Sequence, residues 1–88
     1  MGCPYQAIAN HNRRKILKYL SKGEDSAGNI ASKFKISQPT VSNHLKILRE
    51  ANIIGNRRVK RTIIYSIKNK KIDTMISFLD SVKTEKSK

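Results

Sequence analysis

The sequence predicts a mainly α-helical domain with one small β-hairpin, an α+β fold, and three observations carry that prediction. Apolar residues recur at three- and four-residue steps in separate stretches between Asn12 and Val82. The segment from Ile53 to Ile67 abandons that rhythm and is rich in β-branched residues. Ser, Asn and Gly residues suited to starting or closing helices stand at the joints.

A first helix is expected from about Asn12 to Ser21, because Ile16, Leu17 and Leu20 share one face and Asn10 or Asn12 can cap the first turn. Lys22-Gly23-Glu24-Asp25 ends the pattern, with Gly23 suited to the left-handed conformation that closes helices. Ser26 can cap a short second helix whose buried stripe is Ile30, Ala31 and Phe34, and Ile36 leaves it for a tight turn.

Ser37-Gln38-Pro39-Thr40 is a strong helix start, since Ser37 offers a capping oxygen and proline is tolerated in a first turn whose N–H groups lack partners. Val41, Leu45 and Leu48, with Ile47 beside them, form the buried face of this third helix, while Gln38, Ser42, Asn43 and Lys46 point elsewhere. Asn52, which accepts the left-handed conformation more readily than most residues, ends the helix near Ala51. Ile53 and Ile54 then lead into a hairpin with a basic centre, and Ile72, Met75, Ile76, Leu79 and Val82, widened by Phe78, mark a terminal amphipathic helix.

Residues 1–83 are expected to form one domain, followed by a polar tail at 84–88 that should fray. A domain this small buries only about 60% of its unfolded surface, so a partner subunit is a natural source of stability. Nineteen Lys and Arg against six Asp and Glu give a formal net charge of +13, which calls for a polyanion. No stretch approaches the ~18 apolar residues of a membrane span, so nucleic acid is the expected partner and a membrane is not. The lone Cys3 forms no intramolecular disulfide and reads as a terminal thiol, consistent with a reducing cytoplasm.

Two short helices joined by a tight turn, the second opening with small polar residues and followed at once by a basic hairpin, match a winged helix-turn-helix. Gln pairs with adenine, Ser and Thr with several base edges, and the Thr40 methyl can touch that of thymine. Arg57, Arg58, Lys60 and Arg61 crowd the expected wing tip, where their mutual repulsion is costly without phosphates nearby. An enzyme is disfavoured, for no nucleophile with a base, carboxylate pair or phosphate-binding glycine loop is present. The competing reading is a non-specific architectural DNA-binding protein, for which charge and wing would suffice.

From Ile8 to Ile67 the chain resembles the ArsR/SmtB family of bacterial and archaeal repressors. The resemblance rests on Asn12-Arg13-Arg14-Lys15-Ile16-Leu17, on the run from Ser37 to Ala51, and on Ile64-Tyr65-Ser66-Ile67. It implies a dimeric winged helix that places Ser37, Gln38, Thr40, Ser42, Asn43, His44 and Lys46 near double-stranded DNA, with terminal helices forming the homodimer interface. Tyr5, Ile8, Ile72, Met75, Ile76, Leu79 and Val82 are the expected interface residues, and an inverted-repeat operator follows from the two-fold axis. His44, next to core-facing Leu45, has packing as its alternative role.

Many members of that family sense metal through a Cys-x-Cys pair, but Ser26 and Gly28 hold the matching positions. Others use Asp-x-His near the start of the last helix with a later His and Glu, and here the match reads Asp73-Thr74-Met75 with no later histidine. The resemblance is therefore to the metal-independent branch, which includes autorepressors of toxin and immunity operons, and no metal or cofactor is expected. Family wings usually carry a glycine at the tip, whereas this chain has Val59-Lys60-Arg61, which leaves the tightness and register of the turn open, with Lys60 the residue that a tight turn would ask to take positive φ. Arg13, Arg14 and Lys15 stand in a first turn, where the macrodipole disfavours cations, so a phosphate contact or an ion pair is expected to offset that cost.

Overall fold

The computed structural model describes residues 2–84. In chain order the elements are α1 (Pro4–Ala7), α2 (His11–Leu20), β1 (Asp25–Ser26), α3 (Ala27–Phe34), α4 (Gln38–Glu50), β2 (Ile54–Val59), β3 (Thr62–Ile67) and α5 (Asn69–Ser81). The strands form an antiparallel sheet in the order β1-β3-β2. Thr84 lies beyond α5, and the rest of the expected tail is outside the described residues. No helix among the described residues is long and apolar enough to cross a membrane.

Side-chain caps start the helices of the motif. Asn10 accepts the Arg13 N–H at 3.0 Å, Ser26 accepts that of Asn29 at 3.2 Å, and Ser37 accepts that of Thr40 at 3.3 Å. Each satisfies a backbone donor that the helix itself cannot, a contribution of about 1 kcal/mol.

Left-handed residues close α3 and α4. Lys35 (φ 56°) and Asn52 (φ 65°) each follow a helix, and each closure makes a pair of backward hydrogen bonds. The pairs are Ile36 N–H to Ala31 and Lys35 N–H to Ser32, then Ile53 N–H to Leu48 and Asn52 N–H to Arg49. This Schellman pattern satisfies carbonyls that would otherwise be orphaned, and in the second case it seals Ile53 against Leu48 in the core. Asn52 was legible for this role; Lys35 was not, because lysine has no side-chain reason to favour positive φ. Gly23 behaves differently from its expected closing role: its φ is 155°, far from the left-handed helical well near ~57°.

The core lies where α2, α3, α4 and the sheet converge. Ile16, Ile30, Val41, Leu45, Leu48, Ile53 and Ile54 are fully buried. Each buried Leu or Ile contributes about 1.5–3 kcal/mol, and Leu45→Ala at the centre would cost about 2–5 kcal/mol. Met75 of α5 joins this core at 5% exposure. Of the stripe residues Ile72, Met75, Ile76, Leu79 and Val82, Met75 alone is buried within the protomer.

Two elements were not expected. The single turn of α1 is too short to show a period, and Pro4 begins it at the position where a missing N–H costs nothing. Strand β1 pairs Asp25 with Tyr65 and Ser26 with Ile64. Asp25 also accepts from the Tyr19 hydroxyl at 2.5 Å, from Ser26 N–H at 2.8 Å and from Asn29 Nδ2 at 2.7 Å, so one carboxylate ties α2 to the start of α3. The Tyr19 bond, followed by those from Asn29 and Ser26, holds the Asp25 carboxyl below its usual range.

Candidate nucleic-acid interface

The exposed face of α4 begins at its capped end. Ser37 accepts the Thr40 N–H and donates its own proton to Thr40 Oγ1 at 2.8 Å, which leaves the Thr40 hydroxyl proton free for an outside acceptor. Gln38, Ser42, Asn43 and Lys46 follow along the same exposed side, while Val41, His44, Leu45 and Leu48 line the other.

Gln38 and Ser42 face the hairpin across an open cleft of about 420 Å³. Its other walls are Ser26, Ala27 and Gly28 at the start of α3, Arg61 of the hairpin turn, and Thr62, Ile63 and Tyr65 of β3. Residues distant in sequence thus meet in one groove: polar side chains on the helix, a cation on the wing, and the positive end of the α4 macrodipole between them.

The hairpin pairs Val59 with Thr62 and turns through Lys60 and Arg61. Lys60 adopts φ 59° whereas Arg61 does not have positive φ, so the turn is not of type I′, which needs both. The wing cations differ in freedom. Arg57 is paired with Glu24, while Arg58, Lys60 and Arg61 have no carboxylate within ion-pair distance among the described residues.

His44, for which packing was the alternative role, is buried at 9% exposure and its Nδ1 lies 3.4 Å from Arg13 Nη1, so it faces the interior. Burial, and then the neighbouring Arg13 charge, push its pKa below the usual histidine value. Arg13 and Arg14, for which phosphates or ion pairs were expected, instead donate to the Ala7 and Ile8 carbonyls at 2.6 and 3.0 Å. Those carbonyls end α1, a place that favours cations.

The remaining interface candidates lie along α5 and at or just after α1. Ile76 and Val82 are 57% and 59% exposed, Leu79 is similarly open, and Tyr5, Ile8 and Ile72 are half-buried beside them. Phe78 packs its ring 5.7 Å from that of Tyr5, joining α5 to α1. An apolar groove of about 390 Å³ runs between Ile8 and Leu17 on one wall and Ile72, Met75, Ile76 and Leu79 on the other.

At the positions that the family resemblance matches to metal ligands, Ser26 caps α3 and Met75 fills the core. No three His, Cys, Asp or Glu side chains converge among the described residues.

The family model for bacterial regulatory proteins of the arsR family matches residues 10–55, from the cap of α2 into β2. The chain belongs to the ArsR family. This ArsR-family protein is 39% identical over 79 residues to the transcriptional repressor SdpR of Bacillus subtilis, covering 90% of this chain and 88% of that one. It is 32% identical to the transcriptional activator HlyU of Vibrio cholerae over 84% of this chain and 68% of the relative. Among solved structures it is similar to the homodimeric winged helix-turn-helix DNA-binding domain of a possible ArsR-family regulator from Mycobacterium bovis. That match has a TM-score of 0.74 at 26% identity and covers 88% of this chain and 71% of the other. The protein is a DNA-binding transcriptional regulator with a winged helix-turn-helix, not an enzyme.

Proposed function

We propose that this ArsR-family protein is a homodimeric repressor that reads an inverted-repeat operator and does so without a metal. The observation that carries the reading is the cleft in which Gln38 and Ser42 face the wing through Arg61. Base contacts from the helix would specify the sequence, and Thr40, Asn43, Lys46, Arg58 and Lys60 would add hydrogen bonds and phosphate contacts around it. Repression rather than activation is favoured by the extent of likeness to SdpR, a repressor. Dimerisation is favoured by the exposed apolar side of α5 and by the homodimeric M. bovis domain.

Selection of bound duplexes from a random pool tests the whole reading. An inverted repeat with half-sites about 34–36 Å apart, preferred roughly 10³-fold or more over random DNA, is the expected result. Uniform binding would favour the architectural reading that the net charge of +13 also permits. Zinc, cadmium or copper should leave the complex intact, since Ser26 is engaged as a cap and Met75 is in the core. Stoichiometric release by one of these ions would overturn the metal-independent part.

A further inference from the structure

Among the described residues His44 is the one polar side chain in the buried set, and it sits in the middle of α4. Apolar packing is non-directional and would tolerate some rotation of α4 about its axis. A hydrogen bond to a buried ring is directional and would not. Arg13 supplies it: Nη1 lies 3.4 Å from His44 Nδ1 while Nε of the same guanidinium donates to the Ala7 carbonyl at 2.6 Å. Arginine has no acceptor, so His44 must offer an unprotonated Nδ1 and carry its proton on Nε2.

The other end of this bridge is α1, which bears on the proposed dimer face. The Tyr5 ring of α1 packs tilted against that of Phe78, and Ile8 just after α1 lines the apolar groove. Arg14 grips the Ile8 carbonyl at 3.0 Å, so the end of α1 is held by two guanidinium groups. The segment before α1 also touches α4 directly. A Cβ on Gly2 would fall 2.8 Å from the backbone N of Ala51, an approach that only glycine permits.

We infer that Arg13 is a positioning residue for DNA reading, a latch that joins α1 at the dimer face to His44 in α4 and so sets the rotation at which Gln38 and Ser42 meet the bases. The inference rests on the dimeric, base-reading function proposed above. It makes operator affinity depend on a contact buried on the far side of α4 from the DNA.

The test compares His44→Leu, which removes the acceptor but keeps an apolar side chain, with His44→Gln, whose Oε1 can still accept from Arg13. Arg13→Leu and the Arg13→Leu/His44→Leu double variant complete a cycle. Each is measured for melting temperature, dimer dissociation, and affinity for both the duplex selected by the wild type and random duplex. Loss of roughly 10-fold in selected-site affinity is expected for His44→Leu and Arg13→Leu, with random binding unchanged. His44→Gln should recover most of the loss, and the double variant should be no worse than either single one. Equal losses on both duplexes, additive losses in the double variant, or no rescue by glutamine would overturn the latch. Should His44→Leu unfold, Arg13→Lys takes its place, since it keeps the charge but lacks a fork that reaches two acceptors.

Failure of the parent reading shows up separately, as a wild type that selects no site. The latch is then judged by nitrogen NMR of His44 in the DNA-free protein. A single Nε2–H tautomer that becomes mixed in Arg13→Leu supports it, and a mixture already present in the wild type overturns it.

Discussion

Glu24 and Arg57 form an ion pair across the sheet, and strand register explains why. Ile64 of β3 is the partner of Arg57 on one side and of Ser26 on the other, so the alternation of side chains puts Glu24, two residues before Ser26, on the face of Arg57. Both side chains remain about half exposed, at 54% and 44%, so the pair contributes no more than about 1 kcal/mol to stability. Its larger effect is on charge, because a carboxylate neutralises one of the wing's cations.

Glu24→Gln should therefore tighten binding to every duplex and steepen its salt dependence by up to ~0.9 in slope, leaving the melting temperature nearly unchanged. Replacing Arg58, Lys60 and Arg61 by Gln should do the reverse. Binding titrations from 50 to 300 mM salt check both, and a slope that ignores Glu24 and the wing cations alike would remove the wing from the DNA.

Gln38→Ala and Ser42→Ala should lower affinity for the selected site by about 1–3 kcal/mol each while barely altering random-DNA binding, because both side chains line the cleft and neither carries charge. Neither is needed for folding, since both are exposed. Competition between specific and random duplex reads the difference; parallel losses on the two would count against base reading.

Along α5 the effect of a charge should depend on which side of the helix it enters. Met75→Asp places a carboxylate in the protomer core at a cost of several kcal/mol and should unfold the domain. Ile76→Asp and Leu79→Asp alter side chains that are exposed in the protomer, so the fold should survive and only the dimer should dissociate, taking operator affinity with it. Sedimentation and circular dichroism of the three variants separate these outcomes, and a wild-type monomer at micromolar concentration that still binds the palindrome tightly would contradict the assignment.

Acid should weaken the fold through His44 before Asp25 takes up its proton. His44 is held neutral by burial and by Arg13, so its folded pKa lies below that of the unfolded chain. Above an unfolded value near ~6.5 both states are neutral and the residue makes no pH-dependent contribution. Below it the unfolded chain takes up the proton first, and stability falls with pH. Asp25 acts later: its depressed pKa makes a contribution that is present above about 4 and is lost as pH falls through the folded value. Urea melts at pH 7.5 and 5.5 should show a loss in the wild type that His44→Gln largely removes; an identical loss in both would assign the effect elsewhere.

What the sequence by itself determined was decided within a turn or two of chain. The caps at Ser26 and Ser37, the left-handed Asn52, and the faces of α3 and α4 all depend on neighbours a few residues away. Side-chain oxygens, Cβ sterics and apolar spacing act over that range, so composition and order suffice.

Tertiary structure decided the rest. Strand β1 is too short to carry a period, and Asp25 joins it because Tyr65 offers a free edge from distant chain. His44 stands next to Leu45 at the margin of two faces, and it turned inward because Arg13, thirty-one residues earlier, offered a donor there. Met75 shares a stripe with Ile76 and Leu79, yet only packing against the other helices could show that it is buried and they are not. The Glu24 pairing with Arg57 likewise waits on register across β3. Local chemistry selects a backbone conformation, whereas the choice between two permitted sides of a helix or strand is settled by which distant atoms arrive to satisfy a polar group or exclude water from an apolar one.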